Sequence, residues 1–220
     1  MGKSIDENFL ADVIHKIKNS LGGIGGFAAL LERDLGSNDP RRRLVQRIQE
    51  GVNKVNEVVV SLMTLVREVE PCFKNVQLQS LLKEAWKETW GDEEKGTPRI
   101  LFHPDLADSK IELLADPEMI REVVFHAIRF TDLIGGRIEA IKVNPQPRKK
   151  VNLEFYFLNG CLSESTSENI FLFMNDCEPV EARLSLAIIL KIVKLHGGRV
   201  SIVSHSKNQK VLAIQLSKGS

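Results

Sequence analysis

Apolar residues recur along the first third of the chain at alternating intervals of three and four. Leu10, Ile14, Ile17, Leu21, Ile24, Ala28, Leu31 and Leu35 form one such series, and Val45, Ile48, Val52, Val55, Val59, Leu62, Val66 and Val69 form a second. That period belongs to helices packed along an apolar seam. It predicts one helix over 4–35 and another over about 40–70. Gly36-Ser37-Asn38 reads as the turn between them, with Gly36 suited to a C-terminal cap. Asp39 is a candidate N-cap, Pro40 fits the first helical position, and Pro71 stops the second helix. Two long helices on a short loop make an antiparallel hairpin. A lone hairpin leaves part of its seams uncovered, and two copies side by side close them. The expectation is a domain over 1–71 that dimerises into a four-helix bundle.

From Cys72 the pattern becomes mixed. Phe73 to Val76 reads as a brief strand and Leu78 to Trp90 as a helix, with Trp86 and Trp90 one turn apart in its core face. Arg99 to His103 and Ile111 to Leu114 read as strands. Asp116 caps a helix that runs to Thr131, and Gly135-Gly136 turns the chain. Strands Arg137 to Val143 and Val151 to Leu158 flank the turn NPQPRKK. Residues 163–177 fit neither period. Pro179 to Leu195 is a strongly apolar helix ended by Gly197-Gly198, with His196 as its cap, and strands Val200 to Ser204 and Val211 to Leu216 follow. The fold class is α+β: a helical hairpin over 1–71, then an α/β sandwich over 72–220 with one mixed sheet under about three helices.

With Ile14 on the seam, His15 falls on its flank and Asn19 lies one turn further along the same exposed face. Gly22, Gly23, Gly25 and Gly26 interrupt the middle of this helix, each at a cost of about 1 kcal/mol. Either they allow tight packing on the second helix, or Gly22 and Gly26 strip the surface beside His15 so that another protein can approach the backbone. A net charge of +1 gives no polyanion-binding balance, and Arg41-Arg42-Arg43 reads as a solvated helix start, so no nucleic-acid partner is expected. The three cysteines have no metal-ligand spacing and suit a reducing compartment. No apolar run reaches the roughly 18 residues of a membrane span. The N-terminus lacks a signal-peptide core and a myristoylation pattern. The expectation is a cytoplasmic protein without membrane insertion or a sensor segment of its own.

The segment HKIKNSLGGIGGFAALL resembles the phosphoacceptor helix of two-component sensor histidine kinases, through His15, Ile17, Lys18, Asn19 and Leu21. The second domain resembles the kinase ATP-binding domain of that family, the GHKL type of sandwich. The resemblance rests on Asp116-Pro117, on His126-Ala127-Ile128-Arg129-Phe130-Thr131 with Gly135-Gly136, on Ile170-Phe171 to Phe173, and on Leu186-Ala187-Ile188 with Leu195-His196-Gly197-Gly198. It implies a response-regulator receiver domain as partner and His15 as phosphoacceptor.

The chain departs from this family at each nucleotide contact. Glu122 and His126 stand where the family holds Mg·ATP with two asparagines; His126 reads instead as a packed histidine. The strand ending at Leu158 is followed by Asn159-Gly160-Cys161-Leu162 rather than an aspartate loop. Glu181-Ala182-Arg183-Leu184-Ser185-Leu186 replaces the glycine loop that wraps the triphosphate. Lys16 replaces the acid beside the phosphoacceptor; it cannot act as a base but can neutralise an incoming phosphoryl group. Ser20 replaces a proline. ATP binding is therefore expected to be lost, with no cofactor of the chain's own and Mg²⁺ supplied by the receiver. The expected function is a phosphorelay histidine phosphotransferase: His15 takes a phosphoryl group from one receiver aspartate and passes it to another, without ATP-dependent kinase activity. Docking is expected through Lys18, Gly22, Gly23 and Gly26 on the first helix, and Val60 and Thr64 on the second. Two alternatives stand beside it: a pseudokinase acting as a receiver phosphatase through Asn19 or as a scaffold, and an active kinase with unusual nucleotide contacts.

Overall fold

The computed structural model describes residues 7–90, 99–102, 111–146, 150–158, 165–166, 179–206 and 208–217, with nothing stated of the side chains at 7, 8, 90, 99–102, 145, 146, 165 and 166. The chain forms two compact units, Met1–Val69 and Glu70–Ser220.

The first unit is a hairpin of α1 (Glu7–Asp34) and α2 (Arg42–Val66). Each seam splits into two rows of sevenfold spacing. Ile14 and Ala28 on α1, Leu35 just past its end, and Val45 and Val59 on α2 are buried in the hairpin. The other row, Ile17, Ile24 and Leu31 with Ile48, Val55 and Leu62, remains between 37% and 49% exposed. Gly36 does not cap α1 in a left-handed conformation, because the helix ends at Asp34 and the next bond, Leu35 N–H to Leu31 O, continues its ladder. Asp39 still satisfies the chain entering α2: its carboxylate accepts from the Arg41 N–H at 2.8 Å and from the Arg41 guanidinium. The α-helix proper starts only at Arg42, whose N–H bonds Asp39 O in a tighter first turn. At its other end α2 stops at Val66 rather than near residue 70. Arg67 takes an extended backbone (φ −60°, ψ 124°) while its N–H caps Met63 O at 2.9 Å.

In the second unit the elements follow in the order β1 (Lys74–Gln77), α3 (Leu78–Trp90), β2 (Arg99–Phe102), β3 (Glu112–Ala115), α4 (Pro117–Leu133), β4 (Arg137–Gln146), β5 (Lys150–Leu158), β6 (Ser165–Thr166), α5 (Val180–Leu195), β7 (Arg199–Ser204) and β8 (Gln209–Ser217). The strands form two sheets rather than one. β1 and β3 make an antiparallel pair, and a mixed sheet runs β2-β4-β5-β8-β7-β6 with β2 parallel to β4. β1 begins one residue later than the sequence suggests. Of residues 163–177 only Ser165–Thr166 lie within the described residues, paired with β7.

Alternation decides the sheet's inner face: Val151, Leu153, Phe155 and Phe157 of β5 are fully buried, while Asn152 and Glu154 between them are not. α4 and α5 cover this face with Ile120, Val123, Phe130, Leu186 and Ile189. Phe130 meets Phe157 edge to face at 6.5 Å. Trp86 is buried as expected; the Trp90 side chain lies outside the described residues.

Both covering helices end in a glycine pair. Gly135 (φ 70°) and Gly197 (φ 64°) take the left-handed turn, and the N–H groups of Gly136 and Gly198 bond back to Thr131 O and Val193 O. At Gly198 a Cβ would collide with the Gln215 carbonyl. Asp116 ties the start of α4 to the end of α5. Its carboxylate accepts from Glu118 and Met119 N–H as the α4 cap, and from Cys72 N–H at 2.8 Å. Its own N–H donates to His196 Nε2 at 3.1 Å, and His196 Nδ1 donates to Ile192 O at 2.9 Å. His196 is thus a buried bridge between α4 and α5 as well as a helix cap.

Candidate functional site

His15 stands on α1 one residue past the buried Ile14, so helical geometry turns its imidazole outward. It is exposed, and it has no hydrogen bond or ion pair among the described residues. α1 runs through this point without a break. Ser20, standing where a proline would open the helix, instead donates its hydroxyl to Lys16 O at 3.0 Å.

A cleft of about 570 Å³ opens beside the imidazole between α1 and the end of α2. Ile14, Val60, Met63 and Val66 give it apolar walls. Lys18, Thr64, Arg67 and Glu68 supply the polar part of its lining. The Thr64 hydroxyl is committed to Val60 O at 3.3 Å. The expected site residues Lys18, Val60 and Thr64 are therefore brought together with His15. Lys16 and Asn19 are exposed on α1 but do not line the cleft.

The glycines fall elsewhere. Gly23 and Gly26 line a separate shallow groove with Phe27, Leu30 and Arg33. A Cβ at Gly22, Gly23 or Gly26 would meet nothing within 4 Å, whereas one at Gly25 would lie 3.5 Å from Val52 Cγ1. Tight helix packing thus accounts for Gly25 at most. Phe27, at 74% exposure, is the most solvent-exposed of the large apolar side chains described, and sequence reasoning missed it. Its position off the seam was the available signal. Arg67 and Glu68 were missed because the periodicity carried α2 past them.

The second unit contains the other histidine of interest. His126 is 8% exposed on α4, and its Nδ1 lies 3.4 Å from Ser185 Oγ on α5. Burial, with the nearby Arg129 cation as a smaller cause, lowers its pKa from 6.5 to about 4, so the ring is neutral near pH 7. Glu122, four residues earlier, is exposed. The run 181–186 lies inside the first turns of α5, where Ala182 and Leu186 are fully buried and Ser185 nearly so. The loop after Leu158 lies outside the described residues.

Among the described residues no group of His, Cys, Asp and Glu is arranged to hold a metal, and no helix is long and apolar enough to cross a membrane.

Residues 6–70 match the family model of the His Kinase A (phospho-acceptor) domain. The sensor protein kinase PilS of Pseudomonas aeruginosa is 26% identical over 198 residues, covering 79% of this chain; the match spans only 36% of that relative's length. Full-length ShkA in complex with AMPPNP shares the fold with a TM-score of 0.71 at 17% identity, over 98% of this chain and 47% of that one. ThkA in complex with the response regulator TrrA does so with a TM-score of 0.64 at 19% identity, over 96% and 61%. The chain is thus similar to two-component sensor histidine kinases, with a helical hairpin that matches the phospho-acceptor domain model followed by an α/β unit resembling their catalytic domain.

Proposed function

We propose that this protein is a phosphorelay histidine phosphotransferase. Its partners are response-regulator receiver domains, and it works as a homodimer without kinase activity of its own. The observation that carries the reading is the contrast between an exposed His15 on a phospho-acceptor hairpin and a nucleotide-side position filled by a buried, neutral His126. The Nε2 lone pair of His15 attacks the phosphorus of a receiver aspartyl phosphate. A P–N bond forms, the P–O bond to the aspartate breaks, the aspartate leaves as carboxylate, and the imidazole proton passes to solvent. Transfer to a second receiver reverses these steps. The receiver brings Mg²⁺, so the hairpin needs only exposure and a docking face. That face comprises the cleft with Lys18, Val60 and Thr64, and the outward surface of Gly22, Gly23 and Gly26, with Lys16 in place to offset phosphoryl charge.

The residues on α4 and α5 do not fit Mg·ATP. A neutral imidazole buried against Ser185 offers the ion no exposed oxygen ligand. The run 181–186 is helical and glycine-free, so among the described residues it offers no loop to wrap phosphates. The exposed apolar row of the hairpin supports the dimer, since a second copy buries it. A match to PilS along most of the chain favours one other reading, an active kinase with altered nucleotide contacts. A phosphatase role for Asn19 requires only its exposed position one turn from His15.

The test is transfer of labelled phosphate from a phosphorylated receiver domain. Label is expected on the full chain and absent from His15→Ala. Labelling of His15 by Mg·ATP alone establishes the kinase reading instead, and receiver dephosphorylation that survives His15→Ala but not Asn19→Ala establishes the phosphatase.

A further inference from the structure

The start of the second unit holds its place with almost no apolar burial. From Glu70 to Gln77 no residue is buried, and Cys72, Phe73, Lys74 and Asn75 are exposed. Leu78 is the first buried side chain after the boundary between the units. Contacts on Asp116 and His196 hold the segment instead. We propose that these two residues form a latch for the linker, which opens at Cys72-Phe73 while the α/β unit stays folded. The inference stands apart from the phosphotransfer reading.

β1 pairs with β3 from Gln77–Glu112 to Lys74–Ala115, and one step further the register sets Phe73 opposite Asp116. The backbone ladder does not continue there. α4 begins at Pro117, and the Asp116 N–H has turned to His196 Nε2, 3.1 Å away. The Asp116 side chain takes the ladder's place. Its Oδ2 accepts from Cys72 N–H at 2.8 Å, while its Oδ1 caps α4 by accepting from Glu118 and Met119 N–H at 3.0 and 3.2 Å. One carboxylate thus divides its two oxygens between the linker and the helix.

His196 completes the latch. Its Nδ1 donates to Ile192 O at 2.9 Å, so Nε2 carries the lone pair that receives the Asp116 N–H. Phe73 meets this imidazole edge-on with ring centroids 5.2 Å apart, and 45% of its surface stays open. Asp116 and His196 are buried, so the fixed half of the latch lies in the core and the moving half in water. One hydrogen bond to a carboxylate and one aromatic contact favour the closed state by only on the order of a hundredfold. Opening is therefore a local event that leaves the α4 cap and the Asp116–His196 bond in place. Closed, the latch leaves 67–71 between the end of α2 and the pinned Cys72. Open, the tether between the units extends through Phe73, where β1 begins.

Asp116→Asn separates the linker from the helix. Asparagine caps helices as well as aspartate does, so its oxygen stays with the two N–H groups of α4. Its amide nitrogen, a donor, then faces the Cys72 N–H. Amide hydrogen exchange, read by NMR on the full chain, is expected to speed up about ten- to a hundredfold at Cys72. Glu118 and Met119 are expected to stay within about threefold of the parent. Chymotryptic cleavage after Phe73, identified by fragment mass, is expected to rise by the same factor as exchange at Cys72, because the cut samples the open state. Phe73→Ala, which touches no cap, is expected to speed exchange at Cys72 about two- to tenfold. In the parent, the imidazole nitrogen shifts of His196 are expected to place its proton on Nδ1.

Unchanged exchange at Cys72 in Asp116→Asn overturns the inference. So does equal loss of protection at Cys72, Glu118 and Met119, which means that cap and linker open together. Faster exchange without faster cleavage means that the bond breaks but the strap does not move, and a proton on His196 Nε2 means that the imidazole does not receive Asp116 N–H; either overturns it too. If Asp116→Asn does not fold, Phe73→Ala decides alone, and unchanged exchange at Cys72 in that variant overturns the latch.

Discussion

In the hairpin, half of each apolar seam stays open: Ile17, Ile24 and Leu31, with Ile48, Val55 and Leu62, keep 37–49% of their surface. In the α/β unit the equivalent positions are closed, with Phe130, Phe155 and Phe157 fully buried and even His126 reduced to 8% exposure. The first unit presents an open apolar row and an unpaired imidazole; the second closes its sheet's inner face and buries His126 beside Ser185. The difference separates two uses of the same residue type. An imidazole in water keeps a lone pair for a phosphorus atom, while one in a low-dielectric core is held neutral and committed to packing.

The sharpest way to break this comparison is to charge the open row. Ile24→Lys combined with Val55→Lys places ammonium groups where a second hairpin is proposed to dock. Dissociation into monomers is expected, with Kd raised at least about a hundredfold, read by analytical ultracentrifugation. Helix content should hold, because both positions are already exposed within one hairpin. A parent chain that sediments as a monomer, or a variant that stays dimeric, removes the homodimer from the reading.

Two rows of one seam are equivalent in sequence, since a 3.5-residue period weighs them alike. The helices were legible for that reason, and the choice of inner row was not. It depends on how the turn at 36–41 aims the helices, which no periodicity encodes. The His15 cleft was half legible. Val60 and Thr64 follow from antiparallel register, whereas Arg67 and Glu68 depend on where α2 stops. His196 and Asp116 read as caps of separate helices because the bond joining them spans 80 residues. His126 was legible as a packed residue, since its flanking apolar residues Val123, Val124, Ala127 and Phe130 show the face it shares.

The closed side of the comparison is sharpened by acid. Above the unfolded-state pKa of 6.5 His126 is neutral in both states and stability is full. As pH falls below that value the unfolded chain binds a proton that the folded site refuses until about pH 4. Stability therefore falls across that window, by about 3 kcal/mol at its lower end. Denaturant unfolding of the α/β unit's transition at pH 7 and pH 4, compared between the parent and His126→Leu, isolates this part of the acid sensitivity. The variant is expected to lose less on acidification by that amount, and equal losses in the two proteins mean that His126 is not held neutral by burial.

The smallest effect bears on why the hairpin tolerates four glycines in one helix. Gly22 and Gly26 have open space where a Cβ would stand, so alanine at either is expected to stabilise the hairpin by up to about 1 kcal/mol through helix propensity alone. Thermal unfolding measures that gain. Gly25 is the internal control: its Cβ would make ordinary contact with Val52, so Gly25→Ala should bring a similar gain without altering the outward face. If the outward glycines exist to let a receiver approach the backbone, Gly22→Ala and Gly26→Ala slow transfer from the phosphorylated receiver while Gly25→Ala does not. None of the three should alter labelling by phosphoramidate, which needs only His15. Equal transfer rates in all three variants mean that the outward glycines serve something other than docking. A more stable hairpin that transfers more slowly means instead that helix stability has been given up at these positions to keep the surface beside His15 open.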